Sequence, residues 1–485
     1  MDTANSTHTD KVLRGLRHIG SAQLLTQVVT WGLTAVTAHI LTPRDYGLIA
    51  TAGMFTIFSQ MLLDGGLTQV LVSQRELPTR LQGAAITAVL LASTLLGAMI
   101  FIVSPLVATF FRNPPIRLIL EVSALYLPLT AIGFAPGVLL SKRMLFKRLA
   151  GIQLAVGIFQ GVCTLGLAYA GFSYWSLIAG NFLGMGLRVI LLWVTLEDRP
   201  VPNLQLHELR PVLRNGGHMI GQRLAYFAIN NLDIFLLSRF RGPTELGPYS
   251  VSRTLALTAV DKISSVTGRV SVPAFAARTE TKDQLRGLVT VISISATLVF
   301  PLFWTLAIVS QLALPMIFGS RWLKLVAPFA AFASVLPLRT IYSLLNSSLI
   351  GTGRTGLTLK NTLTWLAFLS PAVLLGVTKG ADGIAIGWAS AFPFVFFIAM
   401  RRTSKVFSVP LTAFLKPLLK PAICAGLSAF AAEAILLAMT NHAPPIIILT
   451  VQGTAAIICY PALLRFVGQP QYEQTLSFVR RIAQF

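Results

Sequence analysis

The sequence predicts an all-α integral membrane protein with about fourteen transmembrane helices. Of its 485 residues, 54% are apolar and only 12% are charged, against roughly 25% charged residues in a typical soluble domain. The mean hydropathy is +0.72, and the stretches 86–111, 149–187, 287–320 and 434–464 carry no Asp, Glu, Lys or Arg. At ~20 residues per span, the apolar residues supply about thirteen spans. Little of the chain is left for a soluble catalytic domain.

Proline, glycine and charged residues divide the apolar stretches into individual helices. The charge-free stretch 149–187 is too long for one helix, and a turn at 170–173 divides it. A turn at 442–445 divides the last long stretch in the same way. The predicted helices are 18–41, 46–73, 84–111, 116–140, 149–170, 174–195, 212–239, 246–272, 287–311, 326–350, 358–378, 383–400, 412–439 and 446–466.

Lys and Arg are distributed unevenly between the two predicted faces of the membrane. With the N-terminus placed inside, the inside loops and tails hold 25 of the 39 basic residues and the outside loops hold 8. Basic residues in short loops favour the cytoplasmic side, so we predict that both termini are cytoplasmic. We assign the net charge of +22 to this topology and to anionic lipid surfaces, and expect no nucleic-acid partner.

A short repeat recurs at an offset of 200 residues. The segment 43–47 (PRDYG) matches 243–247 (PTELG) in proline, acid and glycine, and His18 matches His218. Both turns follow an outgoing helix, which predicts two parallel six-helix lobes with a central cavity between them and two further C-terminal helices. The predicted parts are a cytoplasmic tail 1–17, lobes 18–200 and 201–405, helices within 406–467, and a cytoplasmic tail 468–485.

The predicted seventh and eighth helices are unusual because they hold several embedded charges. Such charges are costly in a membrane and usually face the bundle interior or water. When the two helices are folded at the turn between them, Asp233 and Arg253 lie at similar heights and form a predicted pair. Arg223 lies near the height of Asp261 and Lys262. The alternative is that these pairs only hold two helices together.

A surplus positive charge remains on Lys262 and Arg269 after this pairing. The two residues are seven positions apart and therefore share a helix face. A phosphate or pyrophosphate group would suit this stripe, since Arg offers a bidentate fork and Lys a point charge. We predict a substrate cavity lined by Arg223, Asn230, Arg253, Lys262, Arg269 and Arg339. The residues predicted to act in ion coupling or gating are Asp64, Asp233 and Asp261. No catalytic motif or metal-ligand cluster appears in the sequence, so we expect neither catalysis nor a bound metal.

Short motifs in a fixed order resemble those of a known family. They are Pro43-x-Asp45-Tyr46-Gly47, Asp64-x-Gly66-Leu67 with Gln74, Asn113-Pro114, Lys142 to Phe146, Asn230-Asn231-Leu232-Asp233, Leu246-Gly247-x-Tyr249-Ser250, Phe318-Gly319-x-Arg321-Trp322 and Gly351-x-Gly353-Arg354. From about residue 18 to 400 the chain resembles bacterial polysaccharide transporters, which belong to the multidrug/oligosaccharidyl-lipid/polysaccharide exporter superfamily.

This resemblance implies an inner-membrane flippase that moves undecaprenyl-pyrophosphate-linked oligosaccharide repeat units to the periplasmic leaflet. It also implies two lobes around a V-shaped cavity, and alternating access driven by an H⁺ or Na⁺ gradient without a cofactor. The expected partners are the lipid-linked oligosaccharide, membrane lipids, and a polymerase and co-polymerase of the same pathway. Related flippases place arginines on the first two helices, where this chain has Gln23, Gln27 and His39.

Three other functions stay open at this point. A drug–cation antiporter could use the same fold, although it would favour an acidic or aromatic cavity. A membrane glycan polymerase or glycosyltransferase would normally need a large outside loop with catalytic groups, and the outside connections here are short. A static scaffold in a glycan-assembly complex is compatible with the sequence.

Overall fold

The computed structural model describes residues 29–64, 78–143, 145–197, 200–205, 210–276, 281–439 and 443–484. Within these ranges, only the backbone is described for the following residues: 64, 210–220, 222, 259, 261–276, 281, 478–479 and 481–484. The described residues are almost entirely helical and contain no β-strand. The predicted all-α fold is therefore confirmed. The tail 1–17 and the predicted residues Gln23 and Gln27 lie outside the described residues.

The first of two compact units spans Met1–Gly247. Helix α3 packs along α4, and α6 packs along α7, each pair being joined by a short turn. Helix α2 lies against α4 and α8. The helices of this unit are α1 (29–40), α2 (Pro43–Asp64), α3 (Thr79–Phe110), α4 (Pro115–Ile132), α5 (Phe134–Lys142), α6 (Phe146–Tyr169), α7 (Tyr174–Thr195) and α8 (Arg210–Arg241).

The second unit spans Pro248–Phe485. Its helices are α9 (Pro243–Ala276), which begins just before the boundary, α10 (Thr281–Phe318), α11 (Val326–Gly351), α12 (Thr355–Gly376), α13 (Gly380–Val406), α14 (Thr412–Met439), α15 (Pro445–Val467) and α16 (Gln469–Gln484). Helix α10 packs on α11 and α14, α12 packs on α13, and α14 packs on α15.

Each of the fourteen predicted spans overlaps a described helix, although 18–28 and 65–73 lie outside the described residues and the predicted span 116–140 is divided into α4 and α5. Ten helical segments of the described residues are long and apolar enough to cross a membrane, and one of them, Thr355–Val406, contains both α12 and α13. The protein is thus a multi-pass membrane protein. The count of fourteen crossings stays a prediction, as do the lobe boundaries at 200 and 405.

Several helix ends differ from the predicted ones for a simple reason. Helices α2 and α9 begin at Pro43 and Pro243, whereas the predicted starts were 46 and 246. Proline suits the first helical position, because the N–H that it lacks has no partner there in any helix.

At the other end of the chain, the segment predicted only as a tail forms α16. Its apolar residues Tyr472, Leu476 and Val479 recur at helical spacing.

The two copies of the sequence repeat meet within the first unit. Gly47 lies so close to the carbonyl of Pro243 that an added Cβ would overlap it, and Gly247 lies equally close to the carbonyl of Pro43. Only glycine permits this approach of two backbones. The contact is reciprocal, as in interfaces between elements related by a two-fold axis. The offset of 200 residues therefore corresponds to a contact between the starts of α2 and α9.

Asp45 fixes the start of α2 beside this contact. Its Oδ2 accepts hydrogen bonds from the Thr42 backbone N–H and hydroxyl, both at 2.7 Å, which closes a capping arrangement at the helix N-terminus. Its Oδ1 accepts a hydrogen bond of 2.6 Å from Ser173 in the turn between α6 and α7. The side chain is buried. The acid of the repeat is thus a structural residue.

Candidate functional site

A polar cavity of about 840 Å³ lies among α1 to α7 of the first unit. Apolar side chains and glycines form more than half of its described lining, and amide and hydroxyl groups form most of the rest. These groups can donate and accept hydrogen bonds as water does. None of the described residues that line it is acidic. Its lining includes the polar side chains Thr30, Gln60, Tyr126, Thr130, Ser141, Gln153, Gln160 and Arg188.

Small residues create the space and place the polar groups. A Cβ added to Gly137 of α5 would meet nothing within 4 Å. On α6, Gln153 and Gln160 are seven positions apart and so share the face that lines the cavity. Helix α7 approaches α6 at Gly184, where an added Cβ would come within 2.9 Å of the Gln160 side chain. Glycines at such contacts let membrane helices pack closely.

Arg188 of α7 is the only cationic residue among the described residues that line the cavity. Its side chain is exposed, and within the described part of the chain no carboxylate forms an ion pair with it. Tyr126 of α4 lines the same cavity, and its ring packs edge-on against Phe182 of α7 with the centroids 5.4 Å apart. A guanidinium with open donors is suited to a phosphate or carboxylate.

A second, apolar pocket of about 320 Å³ lies in the same unit among α2, α3, α4 and α8. Phe58 and Ser59 of α2 line this pocket, whereas Gln60 of the same helix lines the polar cavity. Phe227 of α8 closes the pocket against Phe58, with the ring centroids 5.0 Å apart. Neighbouring residues of α2 therefore line the polar cavity on one side of the helix and the apolar pocket on the other.

The predicted site residues of α8 are largely packed. Asp233 is fully buried, and its Oδ1 accepts a hydrogen bond of 2.8 Å from the backbone N–H of Ile234. Asn230 donates to the carbonyl of Tyr226 in its own helix at 2.8 Å. Arg223 and Asn230 are both half-buried. The roles of Arg223 and Asn230 in binding a substrate, and that of Asp233 in coupling or gating, stay predictions.

The other charges of the predicted stripe belong to α9. Arg253 is half-buried in the second unit, so its pairing with an acid of α8 stays a prediction. The side chains of Asp261, Lys262 and Arg269 lie outside the described residues, although the backbone there is helical. The side chain of Asp64, at the end of α2, is also outside the description.

Arg339 lies in an aromatic core of the second unit. It is 6% exposed, and its guanidinium lies 5.3 Å from the ring centre of Trp365 and 5.7 Å from that of Trp388. The two indole rings pack edge to face with their centroids 5.6 Å apart. A desolvated cation over such rings stabilises by about 2 kcal/mol. These contacts are those of a residue that stabilises the packing of α11, α12 and α13.

Comparison with known proteins identifies the family of this membrane protein. The profile of a family described as polysaccharide biosynthesis protein matches residues 36–327, more than half of the chain. The chain belongs to this family. It is 23% identical to the teichuronic acid biosynthesis protein TuaB of Bacillus subtilis (strain 168) over 98% of both chains. It is 24% identical to the succinoglycan biosynthesis transport protein ExoT of Rhizobium meliloti (strain 1021), over 96% of this chain and 95% of that one.

Two solved structures show which fold this family member shares. The lipid II flippase MurJ in an inward closed conformation matches with a TM-score of 0.74 and 12% identity, over 92% of this chain and 98% of that one. An inward-facing multidrug resistance transporter of the MATE family matches with a TM-score of 0.60 and 15% identity, over 80% of this chain and 96% of that one. The resemblance to a polysaccharide family that the sequence showed is confirmed by the family match, and the two structures show the fold.

Sequence reasoning missed the polar lining of the first unit. It placed the site on the predicted seventh and eighth helices and gave Arg188 no role. The signals were present, because Gln153 and Gln160 share a helix face and Arg188 interrupts an apolar helix. The spacing could not show that α4, α5, α6 and α7 turn these residues toward one space.

Proposed function

We propose that this protein is a flippase that moves undecaprenyl-pyrophosphate-linked oligosaccharide repeat units across the bacterial inner membrane, for exopolysaccharide, capsule or O-antigen synthesis. The observation that carries the proposal is the polar, acid-free lining described for the cavity of the first unit. The relatives named for teichuronic acid and succinoglycan biosynthesis support a glycan substrate.

The lining has the chemistry that an oligosaccharide requires. A sugar hydroxyl that enters hydrocarbon without a partner loses hydrogen bonds at a cost of several kcal/mol. The amides of Gln60, Gln153 and Gln160 can replace those bonds. The volume of about 840 Å³ lies within the range of roughly 300–1,000 Å³ typical of small-molecule sites.

The amphipathic character of the substrate matches two further features. Arg188 would hold the negative charge of a pyrophosphate or an acidic sugar, and Lys262 and Arg269 would add positive charge from the second lobe. The apolar pocket on the other side of α2, lined by Phe58 and Phe227, would accept part of the polyprenyl chain. The rest of that chain would stay in the lipid.

Transport would follow alternating access, with one lobe rocking against the other. The substrate must bind one state more tightly than the other in order to bias this exchange. An H⁺ or Na⁺ gradient would supply the driving force, with Asp64, Asp233 and Asp261 as the coupling or gating groups. In this proposal both termini are cytoplasmic, and the polymerase and co-polymerase of the pathway act on the delivered repeat units.

Proteoliposomes test the proposal directly. Purified protein is reconstituted with a fluorescent lipid-linked oligosaccharide, and the fraction exposed on each leaflet is measured with a membrane-impermeant quencher. We expect flipping by the wild type, and its loss in the charge-reversed variants Lys262→Glu and Arg269→Glu. Lys360→Glu is the matched control, because Lys360 is an exposed residue of α12 outside the proposed site. Wild-type flipping in both reversed variants would contradict the phosphate site, and no flipping by any variant or the wild type would contradict the function.

A drug–cation antiporter is the second candidate, because the MATE transporter has a similar fold. The described cavity lining carries Arg188 and no acidic residue, which disfavours a cationic substrate. Efflux of a fluorescent cationic dye from the same proteoliposomes distinguishes the two. Dye efflux without oligosaccharide flipping would establish the antiporter.

A further inference from the structure

A basic groove of about 650 Å³ lies in the second unit where α10, α14 and α16 meet. Helix α14 contributes two lysines, and the other two helices contribute hydroxyl and amide groups. None of the described residues lining the groove is acidic. The polar lining consists of Thr290, Ser293, Lys416, Lys420, Gln471 and Gln474.

The two lysines concentrate positive charge on one face of α14. Lys416 and Lys420 are one helical turn apart, so their ammonium groups lie side by side and repel each other. Both side chains are exposed, and in the part of the chain that the structure describes neither forms an ion pair. An anion between them would relieve this repulsion.

Prolines in α14 explain why α16 docks beside the lysines. Pro421 lacks the N–H that would normally bond to the carbonyl of Pro417. The side-chain amide of Gln471 in α16 donates to that carbonyl instead, at 3.4 Å. Helix α16 is amphipathic and packs against α10 and α15, which is typical of helices that lie in the plane of the membrane interface.

The groove lies near the N-terminal end of α14, where a helix that spans a bilayer meets the headgroup region. Helix α14 begins at Thr412, so at 1.5 Å per residue the two lysines lie about 6 and 12 Å along it. Apolar residues on the same helix continue from the groove toward the middle of α14. They are more than half exposed and recur at helical spacing: Leu419, Ile423, Leu427 and Phe430.

We propose that this groove binds the phosphate of an anionic phospholipid such as phosphatidylglycerol. Lys416 and Lys420 contact the phosphate, while Gln471 and Gln474 lie beside the headgroup. The acyl chains follow the exposed apolar stripe of α14, which a free phosphate would leave uncovered. Basic pockets between helices at a membrane surface are typical headgroup sites. The site is independent of what the protein transports.

Thermal unfolding of the full-length protein in detergent tests this site. Phosphatidylglycerol is added, with phosphatidylcholine and inorganic phosphate in parallel samples. We expect phosphatidylglycerol to raise the Tm by about 3 °C more than either of the others, because a ligand that binds only the folded state stabilises it. The double variant Lys416→Gln/Lys420→Gln should lose at least half of this difference. Lys416→Arg/Lys420→Arg should keep it.

The matched control removes two other exposed lysines of the same unit, in the variant Lys360→Gln/Lys405→Gln. It should keep the full response to phosphatidylglycerol. An unchanged response in Lys416→Gln/Lys420→Gln, or an equal shift with inorganic phosphate alone, would overturn the proposal. If the double variant does not fold, the single variant Lys420→Gln decides, since it must show a reduced response.

Discussion

Arg188 and Arg339 both interrupt apolar helices, yet their surroundings differ in kind. Arg188 lies among amides, hydroxyls and glycines in a cavity of the first unit, and its side chain is exposed. Arg339 is 6% exposed and lies over two indole rings in the second unit. Small neighbours leave room for a ligand around Arg188, whereas the rings around Arg339 occupy that room. The neighbours of an embedded charge therefore decide whether it has room for a ligand.

The largest expected effect of a substitution is on stability, at Arg339. Arg339→Ala removes the cation–π contacts and leaves a void among aromatic rings, which should lower the free energy of unfolding by about 3 kcal/mol. Arg188→Ala is the matched variant, and its exposed side chain should change stability by less than about 0.5 kcal/mol. Thermal unfolding in detergent measures both. Equal losses of stability would remove the distinction between the two arginines.

Filling the polar cavity should slow transport strongly without unfolding the protein. Gly137→Phe places a ring in the cavity from a position where an added Cβ meets nothing within 4 Å. We expect oligosaccharide flipping to fall about thirtyfold, equivalent to about 2 kcal/mol in the transport barrier. Gly151→Phe is the control, because Gly151 is also open at the Cβ position and is exposed on α6 outside the cavity. Normal flipping by Gly137→Phe would show that the cavity is not on the substrate path.

The charge of Arg188 should contribute a smaller effect than the cavity volume. Arg188→Gln keeps the polarity but loses the cation, and we expect flipping of a pyrophosphate-linked substrate to fall about tenfold, or about 1.4 kcal/mol. Arg188→Lys should recover part of the activity, since it restores the charge without the bidentate fork. Arg148→Gln removes an exposed charge at the start of α6 as a control. Equal flipping by Arg188→Gln and the wild type would restrict the phosphate site to the second lobe.

The helical elements could largely be predicted from the sequence. Apolar runs longer than a bilayer and the turns at 170–173 and 442–445 depend on local composition, and helices end and begin at those positions. The predicted starts of α2 and α9 were three residues late, because Pro43 and Pro243 were interpreted as turn residues. Proline is ambiguous in sequence, since it occurs both in turns and at the first position of a helix.

The site could be predicted only in part. Helical spacing and charge identified α8 and α9 as unusual, and those roles stay predictions. The polar lining of the first unit was missed, because Gln60, Gln153 and Arg188 come from three different helices. Spacing along one helix does not show which faces of different helices meet.

The sequence by itself determined that this chain spans a membrane as a series of helices, because burial in lipid depends on composition and on local hydrogen bonding within each helix. It also contained the repeat of proline, acid and glycine. Only the tertiary structure decided that Gly47 packs against Pro243 and Gly247 against Pro43, and that one embedded arginine lines a cavity while another is buried. Such outcomes depend on side chains far apart in the chain, whose contacts arise only when the helices pack.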